Sequence, residues 1–112
     1  MPLPRTAAAS VVLFCTIPSL TVARHLARRL VARHLAACVS CLRGAESYFW
    51  WRGRTDHARE TVLFIKTTRG RLASAMRFLK ASHPYTVPEL IAVPIVAGDA
   101  AYLAWLREAC RG

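Results

Sequence analysis

Three short segments of this chain are apolar at every position: Val11-Val12-Leu13-Phe14-Cys15, Val62-Leu63-Phe64-Ile65 and Leu90-Ile91-Ala92-Val93. Successive side chains of a strand point to opposite faces, so a strand with one wet face alternates apolar and polar residues. These segments do not alternate. They are short and rich in β-branched residues, which reads as strands with both faces in need of cover.

The elements between them set what cover the chain itself supplies. Ser19 is placed to cap a helix, and from Val22 onward Ala23, Leu26, Ala27, Leu30, Val31 and Leu35 form one stripe. The hexapeptide V-A-R-H-L-A occurs at 22–27 and again at 31–36. An offset of nine residues puts the copies on opposite sides of a helix, so the repeat is compositional. Cys38 to Trp51 reads as a long strand ending in the strand-prone Ser47-Tyr48-Phe49-Trp50-Trp51. Arg52-Gly53 reads as a turn, with Thr61 to Thr67 as the returning strand. Gly70 then interrupts, and Leu72, Ala75, Met76 and Leu79 mark a second helix that ends before Pro84. Leu90 to Val96 is a fourth strand, with Pro88 and Pro94 placing part of it at an edge. Asp99 caps a last helix with Tyr102, Leu103 and Leu106 facing inward.

The order β-α-β-β-α-β with a terminal helix is an α+β, ferredoxin-like sandwich, in which both main helices cover one face of an antiparallel sheet. The second face has no element left to cover it. Another copy of the same sheet is the cheapest cover, so a homo-oligomer with sheet-on-sheet packing is expected. The cluster Tyr48, Phe49, Trp50 and Trp51 beside Arg52 and Arg54 fits a base-stacking platform or a hairpin packed on a neighbouring subunit. Strand propensity favours the second, with Tyr48, Phe49 and Trp51 as contact residues.

The chain has 112 residues, enough for one domain with its own core, and residues 1–9 are expected to form a flexible N-terminal segment ahead of a single domain at 10–112. Formal net charge is +10, yet the cations are scattered from Arg5 to Arg111 with no run longer than Arg28-Arg29. A solvated basic surface follows, and no specific nucleic-acid partner. No apolar run reaches the ~18 residues of a membrane span, and Ala7 to Ile17 lacks a small-x-small cleavage site. With four cysteines suited to be free thiols, the expected location is cytoplasmic.

Signs of catalysis are sparse. Only six acids are present, and there is no glycine-rich phosphate loop. Glu60 and Glu89 are read as structural partners of Lys66 or Arg54. Cys38 and Cys41 form a C-x-x-C, but along a strand residues three apart face opposite ways, so the two thiols cannot share an ion or a bridge. Cys15 with His83 is a thiol and imidazole pair without an oxyanion hole. The chain is not expected to be an enzyme.

Five stretches resemble the CutA divalent-cation tolerance family: Leu35 to Cys38 (L-A-A-C), Trp51 to Gly53 (W-R-G), Ile65 to Thr67 (I-K-T), His83 to Leu90 (H-P-Y-x-x-P-E-L) and Gly98 to Leu106 (G-D-x-x-Y-L-x-W-L). They run in family order from about Ser10 to Leu106. The resemblance implies a ferredoxin-like homotrimer linked to divalent metal tolerance, with copper as the implied metal. It places the implied metal site at Cys15 and His83, with Glu89, water or a symmetry mate completing the sphere. Some relatives carry two histidines before P-Y where this chain has Ser82 and His83, which implies a weaker site, tightened by Ser82→His. The alternative reading is a regulatory module that senses a small ligand or anion, by analogy with the similarly folded PII-type regulators.

Overall fold

Ser10 to Ile17 pairs along its whole length with a second strand and along half its length with a third, and this central strand organises the molecule. The computed structural model describes residues 9–112; the segment expected to be flexible lies, but for Ala9, outside them. In chain order the elements are β1 (Ser10–Ile17), α1 (Leu20–Ala32), β2 (Cys38–Trp51), β3 (Arg54–Thr68), α2 (Arg69–Ser82), β4 (Ile91–Pro94) and α3 (Ala100–Ala109). The sheet order is β2-β3-β1-β4, antiparallel throughout. This is the ferredoxin-like arrangement with an added C-terminal helix.

Local signals place the elements. Ser19 caps α1, its hydroxyl accepting from the Val22 N–H at 3.3 Å. The helix closes at Ala32, because His34 turns the chain into the left-handed region with φ 57°. The stripe therefore stops early: Ala23, Leu26, Ala27 and Leu30 are buried, Val31 is exposed and Leu35 lies past the helix end. Arg52 and Gly53 have φ of 52° and 79°, the positive pair of a two-residue type I′ hairpin turn. Trp51 therefore pairs with Arg54, and β3 begins there instead of at Thr61. Polar residues hid that half of the strand. β4 is shorter than expected, ending at Pro94, although the Ile95 N–H still donates to Ser10 O at 3.0 Å.

One face of the sheet is covered. Leu13, Cys15 and Ile17 of β1 and Leu63 and Ile65 of β3 pack with Ala23, Leu26 and Leu30 of α1 and Ala75 and Leu79 of α2. A smaller cluster seats α3: Leu106 and Cys110 meet Ala37, with Ile95 alongside. Tyr102, expected inward, is 43% exposed and lies beside Trp105 at 5.4 Å between ring centroids; a ten-residue helix on so small a cluster buries only Leu103 and Leu106.

The other face carries Val12 and Phe14 of β1, Val62 and Phe64 of β3, Leu42 of β2, and Ile91 and Val93 of β4, by the alternation of the registers. Phe14 and Phe64 meet edge to face at 4.9 Å. Among the described residues no helix covers this face, and Leu42, Ile91 and Val93 are exposed. Beyond Leu42 the β2–β3 hairpin runs on as an arm. A β-bulge between Leu42 and Ala45 sets it off, with Gly44 at φ 83°. The radius of gyration is 14.7 Å, against about 13 Å for a compact chain of this size, because the arm protrudes.

Candidate functional site

Cys15 and Thr16 lie near the end of β1, and α2 delivers its last residue, Ser82, to the same corner. His83 follows in extended conformation, φ −77° and ψ 139°, as expected of a residue ahead of proline. Its ring is held from both sides. Nε2 lies 2.7 Å from Thr16 O, and Nδ1 accepts the Tyr85 N–H at 2.9 Å. A carbonyl can only accept and a backbone N–H can only donate, so these partners fix a neutral imidazole with its proton on Nε2. Tyr85 lies at 5.1 Å from the His83 ring, tilted, and its hydroxyl donates to Glu60 Oε2 at 3.4 Å.

Cys15 is fully buried. Its thiol is pushed up from 9.0 to about 12, first by burial and then by the negative charges of Glu89 and Glu60. At neutral pH it is a thiol, whereas a metal binds the thiolate. The Tyr85 phenol is also pushed up, by burial, by the Glu60 charge and by its hydrogen bond to that carboxylate. The structure thus gathers Cys15, His83 and Glu89 at one corner and adds Glu60 and Tyr85. Among the described residues, no group of three or more His, Cys, Asp or Glu side chains is arranged to hold a metal ion. As folded, this corner is a hydrogen-bonded clamp between β1, β3 and the 83–90 segment.

Glu60, expected to pair with Lys66 or Arg54, pairs with neither. Each lies six residues away along β3, about 20 Å at strand rise. Glu60 is buried and accepts from Tyr85. Lys66 instead donates to Ser40 Oγ at 3.1 Å and Cys38 Sγ at 3.4 Å. Tyr85 had a usable signal, since it stands two residues past His83, within reach of a histidine ring.

The C-x-x-C behaves as strand geometry requires: Cys38 pairs with Lys66 on the open face, and Cys41 pairs with Leu63 on the helix-covered side. The aromatic arm divides in the same manner. Ala45 pairs with Glu60 beyond the bulge, so Phe49 and Trp51 continue the open face while Tyr48 and Trp50 lie on the other side. Tyr48 and Trp50 are 72% and 75% exposed. Tyr48 stacks on His57 at 5.7 Å.

Comparison with known proteins agrees with this architecture. Residues 11–109 match the family described as CutA1 divalent ion tolerance protein. The divalent-cation tolerance protein CutA of Escherichia coli is 39% identical over 103 residues, covering 92% of this chain and 92% of that protein. The chloroplastic protein CutA 1 of Oryza sativa is 39% identical over 106 residues, and the chain spans 60% of that protein's length. Among solved structures, CutA1 from Oryza sativa superposes with a TM-score of 0.89 at 39% identity, covering 95% of this chain and 97% of that one. The divalent cation tolerance protein of Thermus thermophilus gives 0.87 at 43% identity, covering 89% and 97%. The chain therefore belongs to the CutA1 divalent ion tolerance protein family.

Proposed function

We propose that this protein acts in the response to divalent metal ions as a homotrimer, in the cytoplasm and without catalysis of its own. The single observation that carries the metal role is the nearly end-to-end match to proteins named for divalent-cation tolerance. The assembly rests on the open sheet face, where Val12, Phe14, Val62 and Phe64 lie with no helix over them. Phe49 and Trp51 extend that apolar strip along the arm, which lengthens the surface offered to a second copy. Light scattering tests the assembly: the expected mass is three times the 12.4 kDa of one chain, and a stable mass of one chain overturns it.

Copper is the metal proposed, at Cys15, His83 and Glu89, because a thiolate with an imidazole is a soft donor set. Loading demands two changes from the folded arrangement. The Cys15 proton must leave, and His83 must surrender either Thr16 or Tyr85. Binding is therefore weak and releases protons. Calorimetry of wild type beside Cys15→Ser and His83→Ala tests this: loss of binding in both variants supports the site. Equal binding in all three moves the metal to Cys38, Cys41 or Cys110.

One feature favours a second reading, a module that senses a small anion. A surface cavity of about 590 Å³ is lined by Arg69, Arg107 and Arg111 with a single acid, Glu108. Titration of the protein with metals and with nucleotides separates the two readings.

A further inference from the structure

The metal role leaves one cluster unused. On the open sheet face, Lys66 Nζ lies 3.4 Å from Cys38 Sγ and 3.1 Å from Ser40 Oγ, and its ammonium also sits over the Phe64 ring at 5.3 Å. Cys38 and Lys66 are directly opposed residues of β2 and β3. The ladder fixes their backbones, and the hydroxyl and ring hold the amine against the sulfur. Cys38 is half-buried in the single chain, and as the first residue of the edge strand β2 it stands at the margin of the open face, within reach of an oxidant as small as peroxide even where copies cover the centre of that face.

An oxidised cysteine normally resolves against a second thiol. Here the neighbouring thiol in sequence, Cys41, is on the other side of the sheet, Cys15 is buried in the core, and Cys110, buried against Ala37 and Thr67, lies on the helix-covered side as well. The nucleophilic nitrogen that the structure brings to Cys38 is the Lys66 amine. A separation of 3.4 Å is within the roughly 3–3.5 Å of a near-attack arrangement.

We propose that Cys38 and Lys66 form a peroxide-driven, reducible sulfenamide crosslink between β2 and β3. In the first step the Cys38 sulfur attacks hydrogen peroxide. The O–O bond breaks, sulfur is oxidised to the sulfenic acid S–OH, and one water leaves. In the second, Lys66 gives up its ammonium proton to water, and the freed lone pair of the amine attacks that sulfur. An S–N bond forms, the S–O bond breaks, and the hydroxyl leaves as water with a proton from the amine. Thiol, amine and one peroxide give the sulfenamide and two waters, a net loss of two hydrogens from the protein. An external thiol reverses it: two equivalents restore Cys38 and Lys66 and become a disulfide. The crosslink removes the cation from the open face and ties the edge strand to its neighbour. Cys41, exposed and paired with Leu63 instead of a lysine, is the internal control.

The test treats the full-length protein, assembled as it is in solution, with excess hydrogen peroxide, followed by peptide mapping. The expected product joins the Cys38 and Lys66 peptides, with a mass lower by two hydrogens, and disappears on treatment with dithiothreitol. Lys66→Arg keeps a cation but removes the amine; it is expected to lose the joined peptide and to accumulate sulfenic acid at Cys38, trapped by dimedone. Cys38→Ser loses the joined peptide with Cys41 still oxidised. The proposal is overturned if wild-type Cys38 advances to the sulfinic or sulfonic acid, if it pairs with another cysteine, or if Lys66→Arg gives the wild-type pattern.

Discussion

The two faces of the sheet are written in the same residue types and have different fates. Leu13, Cys15, Leu63 and Ile65 meet two helices and are fully buried, while Phe14, Val62, Phe64, Ile91 and Val93, one position over, meet none. Hydrophobicity marks a residue as one to be taken out of water; it does not name what will cover it. On the first face the cover is in the same chain and forms with the fold. On the second the cover is proposed to be other copies, so burial there is tied to protein concentration.

The widest separation comes from a charge. Phe14→Asp places a carboxylate in the middle of the open face and is expected to abolish assembly, read by light scattering, with far-ultraviolet dichroism retained. A variant that stays assembled would show that this face is not the covered one. Next is Leu63→Ala on the covered face, expected to cost about 2–5 kcal/mol in denaturant unfolding. That loss should be the same at high and low protein concentration, whereas Phe64→Ala should cost most where the protein is assembled.

Cys15 gives a third, smaller contrast. The folded protein holds its thiol proton more tightly than the unfolded chain does, so this contribution to stability is complete below pH 9.0 and is lost as pH climbs toward about 12. Denaturation midpoints above pH 9.0 should therefore fall more steeply for wild type than for Cys15→Ala. In the native protein at pH 8, iodoacetamide should label Cys41 well before Cys15. Equal labelling would contradict the closed core. The smallest effect belongs to the arm: Trp50→Ala should change stability by no more than about 0.5 kcal/mol, as a surface side chain does. Trp51→Ala, on the open-face side, should lose more, and increasingly so with concentration. Equal losses would mean the arm does not divide as its register says.

Much of the fold could be read from local rules. Ser19 and Asp99 cap where their side chains allow, and Asp99 accepts from the Tyr102 N–H at 3.0 Å. The Arg52-Gly53 turn fixes the hairpin. The missing half of β3 was illegible because Arg54 to Arg59 lies on the exposed arm, where no burial imposes a pattern. The inward placing of Tyr102 failed because a helical stripe does not reveal how small its receiving surface is. The candidate site was legible as residues and not as chemistry. Family resemblance pointed to Cys15 and His83, with Glu89, water or a symmetry mate to complete the sphere. That both His83 nitrogens are already engaged depends on Thr16, 67 residues away, and no spacing rule carries that.

The bulge at Gly44 acts as a phase shifter. Its one extra residue on β2 advances the alternation by half a period, which is why Phe49 and Trp51, and not Tyr48 and Trp50, stand in line with Leu42. Giving that residue a partner, by inserting one residue between Glu60 and Thr61 of β3 and leaving every aromatic residue in place, would reverse the two pairs. The arm would keep its composition, length and turn and present the opposite pair of rings to whatever covers the open face. Which aromatics this family member displays is thus encoded by a residue with no side chain at all.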